Sequence, residues 1–259
     1  MSILKRFSTN ISDAIAFGPQ FLRRHLPKIT GAELAEIKVS KNQRMFVRAG
    51  ESDSAAIRQT FKDRQYRIDF NAQCLARIQR RYESILANGA TPIIVDAGAN
   101  IGAASIWFSI HFPKATIIGI EPEPGNFSVF QKNADLVPNV KAVRAAIGAQ
   151  TGFVKVVNDG LGWAARTERS CDGTRIMTMA EAFGMGVPFI AKIDIEGFES
   201  DLFSANTQWL ADTFVVFIEP HDWLLPGKCT SRSFQAAMGE EDYEIYLSGE
   251  ILTYIRREG

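Results

Sequence analysis

Apolar positions along the chain fall into two textures. Through the first ninety residues they recur at helical spacing or alternate in short runs. Ile3, Leu4, Phe7, Ile11 and Ile15 share a helical period, which predicts one or two helices over residues 1–30, ending near Pro27. Ile37–Val39 and Arg44–Arg48 alternate as strands around the turn-prone Lys41-Asn42. Ser52 or Asp53 can cap a helix through Ala56, Ile57, Thr60 and Phe61. A longer helix spans roughly Asn71–Asn88, where Gly89 stops it.

From residue 90 the texture changes to short, nearly continuous apolar runs of the kind buried on both faces of a sheet. Such runs are Pro92–Asp96, Ala115–Ile120, Val140–Ala145, Ile190–Ile195 and Phe214–Ile218. Helical segments fall between the first of them, at Ala103–His111 and Gly125–Asp135. Tyr243–Leu247 and Leu252–Arg256 read as a closing hairpin around Ser248-Gly249-Glu250. The expected fold is therefore α/β: a mostly parallel, doubly wound, Rossmann-like sheet with a terminal antiparallel hairpin. Residues 1–89 are expected to form a helical and β-hairpin extension, and residues 90–259 the main domain. Phe153–Val157 alternates like a strand, but Asn158–Arg175, with Trp163 inside it, is polar and Gly-containing and reads as a long functional loop.

Chemistry gathers where the predicted strands end, which is where open α/β sheets bind ligands. The first parallel strand ends in Asp96-Ala97-Gly98-Ala99-Asn100-Ile101-Gly102. Gly98 permits a tight turn and close approach, and Gly102 lets the next helix pack near the strand. A dinucleotide site presents glycines and a helix N-terminus to pyrophosphate. A carboxylate such as Asp96 repels phosphate and attracts a sulfonium or ammonium group. S-adenosylmethionine carries both cations and no phosphate, so it suits this loop. The second strand ends in Glu121, an acid able to accept both hydroxyls of a ribose. At the third, Ala146 leaves room for an adenine ring.

The remaining strand ends read as the reaction side. Lys192-Ile193-Asp194-Ile195-Glu196-Gly197-Phe198-Glu199 concentrates charge at one terminus, which is costly unless paired or exposed in a cleft. Asp194 can reach the cofactor or the acceptor, whereas Glu196 and Glu199 are expected to open the next helix. Glu219 and His221 emerge at the same edge. Asp194, Glu219 and His221 are thus the candidate catalytic groups, as base or acceptor-orienting side chains. The same trio can be drawn around a divalent metal, but no close ligand spacing supports one, and a metal-free site is expected.

These strings resemble the FkbM family of methyltransferases. The similar segments are Val95–Gly102, Glu121-Pro122, Lys192–Glu199, and Glu219 with His221. Val47–Asp53, followed by Phe61 and Tyr66, is similar to a stretch found upstream of the core in many members. The resemblance implies a class I methyltransferase fold, cofactor binding at Asp96, Gly98, Asn100 and Glu121, and transfer to a hydroxyl oxygen. The acceptors it implies are sugars of polysaccharides and secondary metabolites.

Composition narrows the alternatives. The chain has 29 Lys+Arg and 29 Asp+Glu, and this balance argues against a nucleic-acid partner. Sixteen of the basic and eight of the acidic residues fall within residues 1–90. That basic front either pairs internally or offers peripheral contact with a membrane surface through the first helix. Three unclustered cysteines, Cys74, Cys171 and Cys229, fit a reducing, cytoplasmic setting. Neither a membrane span nor a secretory signal is expected. The rival readings are a nicotinamide-dependent oxidoreductase, a non-catalytic cofactor-binding protein and a membrane-surface or nucleic-acid binding module resting on the basic first ninety residues.

Overall fold

A computed structural model describes residues 3–49, 51–158 and 165–257 of the chain. Its thirteen described strands form three sheets. β1 (Leu34–Lys38) and β2 (Arg44–Arg48) make the expected hairpin. The large sheet contains β3 (Pro92–Ala97), β4 (Thr116–Ile120) and β5 (Val140–Val143). A second, four-stranded sheet follows, made of β6 (Ala146–Ile147), β7 (Gly152–Asn158), β8 (Ala165–Ser170) and β9 (Thr174–Met177). The chain then returns to the large sheet as β10 (Val187–Ile193), β11 (Val215–Ile218), β12 (Tyr243–Ser248) and β13 (Ile251–Arg256).

The large sheet runs β12-β13-β11-β10-β3-β4-β5. Its five strands from β11 to the β5 edge are parallel, and β13 pairs antiparallel with both β11 and β12. Every residue of β3 is buried, which explains the apolar run Pro92–Val95 that precedes Asp96. From β3 the chain winds outward through β4 and β5, then crosses back to β10 and β11 on the other side. The winding direction therefore reverses between β3 and β10, and the ligand-binding crevice of such a sheet opens there.

Helices cover both faces. On one, Ala72–Ala87 and Ala103–His111 pack with the N-terminal elements, burying Phe21, Met45, Ile78, Phe108 and Phe217 in one cluster. On the other, Phe183, Leu202, Trp209, Phe234 and Met238 cover the sheet. The apolar core beneath the sheet is thus continuous with residues 21–85. Helix Ile3–Phe17 is pinned by buried Asp13, which accepts from Arg24 at 2.8 Å and Arg58 at 3.0 Å. Its Ile11 and Ile15 are exposed. Much of the basic front is thus paired within itself, with Arg77 reaching across to Glu244 at 2.7 Å. No helix among the described residues is long and apolar enough to cross a membrane.

Several expectations are corrected. Pro27 does not end the N-terminal helices: it occupies the first turn of Leu26–Thr30, where its missing N–H costs nothing. Asp53 lies inside helix Glu51–Ile57, and its carboxylate binds Arg48 instead of capping. The strand expected over Val140–Ala145 stops at Val143, and Ala146 belongs to the second sheet. Asn158–Arg175 is no simple loop, because β8 and β9 both pair with β7. The polar run Arg166–Arg169 within β8 gave no apolar alternation to read. Trp163 lies outside the described residues.

Candidate active site

Three strand-end acids are seated by the same local device. The backbone N–H of Glu121 donates to Val143, that of Asp194 to Ala97, and that of Glu219 to Ile193. Each acid is the first or nearly the first residue past its strand. The sheet ladder therefore fixes its backbone while its side chain clears the edge.

Asp96 and Lys192 are direct cross-strand partners, so their side chains leave the sheet on one face. Asp96 is fully buried, accepts from Ser105 Oγ at 2.6 Å, and lies 3.1 Å from Lys192 Nζ. Lys192 Nζ also donates to the Gly98 carbonyl at 2.6 Å and lies 3.5 Å from Asp194. Burial disfavours its ammonium, but Asp96, Tyr66 and Asp194 outweigh that and hold its pKa well above the ordinary value. Asp96 lines neither chamber of the crevice and anchors the lysine that braces the Gly98 loop.

Gly98 has φ 77°, and a Cβ there would fall 1.7 Å from the Asp194 carbonyl oxygen. The loop after β3 thus packs directly on the end of β10. Asn100, also left-handed at φ 51°, donates its backbone N–H to Glu121 Oε2 at 2.8 Å. Glu123 N–H donates to the other Glu121 oxygen at 2.9 Å. Burial pushes the Glu121 carboxyl up to about 7 despite these donors.

The crevice has two chambers. A narrow one of about 70 Å³ is lined by Gly98, Glu121, Ala146, Ile147, Thr167 and Phe198. A wider one of about 390 Å³ is lined by Tyr66, Lys192, Glu219, His221, Trp223 and Glu250. Gly98, Asn100, Asp194 and Glu196 border both. Ser52, in a segment similar to the family's upstream stretch, also reaches the wide chamber.

His221 is buried at the floor of the wide chamber. Its Nδ1 donates to Glu199 Oε1 at 2.7 Å, leaving Nε2 facing the acids. Nε2 lies 3.6 Å from Asp194, 3.6 Å from Glu196 and 3.9 Å from Glu219. Burial opposes the imidazolium, but Glu199, then Asp194 and Glu196, raise the His221 pKa to about 9. Burial, with repulsion from Asp194, pushes Glu196 and Glu219 each up to about 7. Glu196 does not open the helix as expected: it sits at φ 52° before Gly197 and turns into the cleft. Glu199 does begin the short helix Glu199–Leu202, yet its carboxylate is spent on His221. Both lie in the Lys192–Glu199 string, but alternation along a strand could not foresee the turn that brings them round.

The strand order β5-β4-β3-β10-β11-β13-β12, with its antiparallel next-to-last strand and its crevice beside β3, defines a class I methyltransferase fold. The chain belongs to the FkbM methyltransferase family: the Methyltransferase FkbM domain model matches residues 96–259. It is similar to Methyltransferase 1 of Beauveria bassiana, 41% identical over 59 residues, covering 22% of this chain and 24% of that protein. The hexuronic acid methyltransferase AglP of Haloferax volcanii is 23% identical over 156 residues, 58% of this chain and 64% of that one. The chain thus spans about a quarter of the first of these relatives and under two thirds of the second. The crystal structure of FkbM from Methylobacillus flagellatus aligns at TM-score 0.45 and 15% identity, over 64% of this chain and 43% of that one.

Proposed function

We propose that the chain is an S-adenosylmethionine-dependent O-methyltransferase acting on a hydroxyl of a sugar or secondary metabolite. The observation that carries this reading is the pair of joined chambers, one lined by Glu121, Ala146 and Phe198 and one ringed by acids. The lining suits the cofactor. Glu121 can accept ribose hydroxyls, and Ala146 and Phe198 offer apolar walls for a ring. Asn100 Oδ1 is a buried acceptor that finds no hydrogen-bond partner within the described residues, and it is available to a ligand amino group.

Bound there, the cofactor would supply an electrophilic methyl group. The chain's own residues do the rest. Asp194, on the border of both chambers, orients the acceptor hydroxyl toward the methyl. Glu219 stands beside it to take the hydroxyl proton, so that the new O–C bond forms as the C–S bond breaks. His221, fixed by Glu199, holds the acids in register. Positioning of this kind supplies much of a transfer rate. The hexuronic acid named for AglP makes uronate-bearing glycans the first acceptors to try. Tritium transfer from methyl-labelled cofactor into a panel of glycans and hydroxylated metabolites tests the reading. Label appearing as a base-stable methyl ether, and its loss in Asp194→Asn, is expected; label in amines alone would refute O-transfer.

A further inference from the structure

We propose that Asp194, Glu196 and His221 form a binding site for one divalent cation at the floor of the wide chamber. One ligand atom from each lies within 4.8 Å of the others. His221 Nε2 stands 3.6 Å from an oxygen of each acid. That separation is too long for hydrogen bonds. It matches the spacing of neighbouring ligand atoms, roughly 3–3.6 Å, around an ion held by bonds of about 2.1–2.2 Å.

Two independent features point the groups at a ligand. The His221 side chain is 2% exposed, and its Nδ1–H is committed to Glu199 at 2.7 Å. The other ring nitrogen therefore faces the acids. A carboxylate holding the far nitrogen of an imidazole is the usual support behind a metal-binding histidine. Glu196 Oε2 is a buried oxygen with no hydrogen-bond partner within the described residues, and it is the very atom that faces Nε2. His221 offsets its charge at 3.6 Å without giving it a hydrogen bond. Charge points the same way. Asp96, Asp194, Glu196, Glu199 and Glu219 converge on one ammonium, Lys192, and one imidazole.

One imidazole and two carboxylates leave positions open for water or acceptor oxygens, a set suited to Mn²⁺ or Mg²⁺. This deepens the methyl-transfer reading and, for its catalytic use, rests on it. A cation there selects acceptors with two adjacent oxygens, a vicinal diol or an α-hydroxy acid, and makes the bound hydroxyl more acidic. Glu219, outside the triad, remains to take the proton.

The test is an electron paramagnetic resonance titration of the full chain with Mn²⁺, in which bound ion leaves the free-ion signal. Expected are one Mn²⁺ per chain and at least about tenfold weaker binding in Glu196→Gln and in His221→Ala. Glu250→Gln, at the rim of the same cleft, should bind as wild type. Circular dichroism melting identifies any variant that fails to fold, and Glu196→Gln serves if His221→Ala does. No uptake by the wild type at millimolar Mn²⁺, or undiminished uptake by folded Glu196→Gln, overturns the site. S-adenosylhomocysteine titrated into the same samples separates the two ideas. Its binding without Mn²⁺ uptake removes the cation site alone, and Mn²⁺ uptake without its binding removes the cofactor reading alone.

Discussion

The Asp96–Lys192 pair braces the Gly98 loop, and a double-mutant cycle tests it. Both groups are almost wholly inaccessible, at 0% and 3% exposure, and 3.1 Å apart. Asp96→Asn leaves a buried ammonium short of its main counter-charge. Losing one member of a buried pair costs about 3–5 kcal/mol. Asp194, at 3.5 Å from the lysine, remains to share the charge, so the low end, about 3 kcal/mol, is expected. For a chain of this size that lowers the melting temperature by about 6–12 °C. Lys192→Met strands Asp96 with only Ser105 and should cost a similar amount. In the double variant no uncompensated charge remains between the two positions. Its cost should therefore fall at least about 2 kcal/mol below the sum of the single costs. Urea unfolding of the four proteins measures the coupling. Strict additivity would mean that the pair does not interact and that the bracing of the Gly98 loop has another origin.

Gly98→Ala should weaken S-adenosylhomocysteine binding by at least about tenfold. The new methyl meets the Asp194 backbone, and the strain at φ 77° adds about 1 kcal/mol, which together shift the loop. Calorimetric titration checks this, and wild-type affinity would show that the loop does not contact the ligand. Burial raises the Glu121 carboxyl from 4.5 to about 7, with a definite sign for each observable. The stability it contributes in the free protein is complete below pH 4.5 and is lost as pH rises through about 7. Affinity for a ribose-bearing ligand should rise over the same window as the carboxylate forms, and Glu121→Gln should flatten the profile. Asn71 accepts from the Cys74 N–H at 2.8 Å at the start of helix Ala72–Ala87, so Asn71→Ala should cost about 1 kcal/mol in thermal unfolding.

Where residues faced a single periodic environment, the sequence was readable. The buried strands β3, β4 and β11 have apolar runs, and helix Ala72–Ala87 carries its own cap in Asn71 and its own stop in Gly89. The strand-end acids were readable too, because each directly follows, or closes, a short apolar run that marks its strand. Contacts made across the sheet were not. The pairing of Asp96 with Lys192 across the strands, and its bond from Ser105 on the next helix, could not be read from alternation. Glu196 and Glu199 looked like helix-opening acids. The left-handed turn at Glu196-Gly197 and the partner His221, twenty-two residues from Glu199, decide their roles. The alternation of Phe153–Val157 announced β7, but β8 was missed because the polar sequence Arg166–Arg169 carries no apolar alternation and its pairing is held by backbone bonds.

The central claim is that the crevice between β3 and β10 binds a phosphate-free adenosine cofactor. Side-by-side calorimetric titrations of the unmodified chain with S-adenosylhomocysteine and with NAD⁺ test it most directly. One-to-one binding of the former, weakened by Glu121→Ala, with no heat from the latter, is the expected result. Saturable binding of NAD⁺ with none of S-adenosylhomocysteine would contradict it.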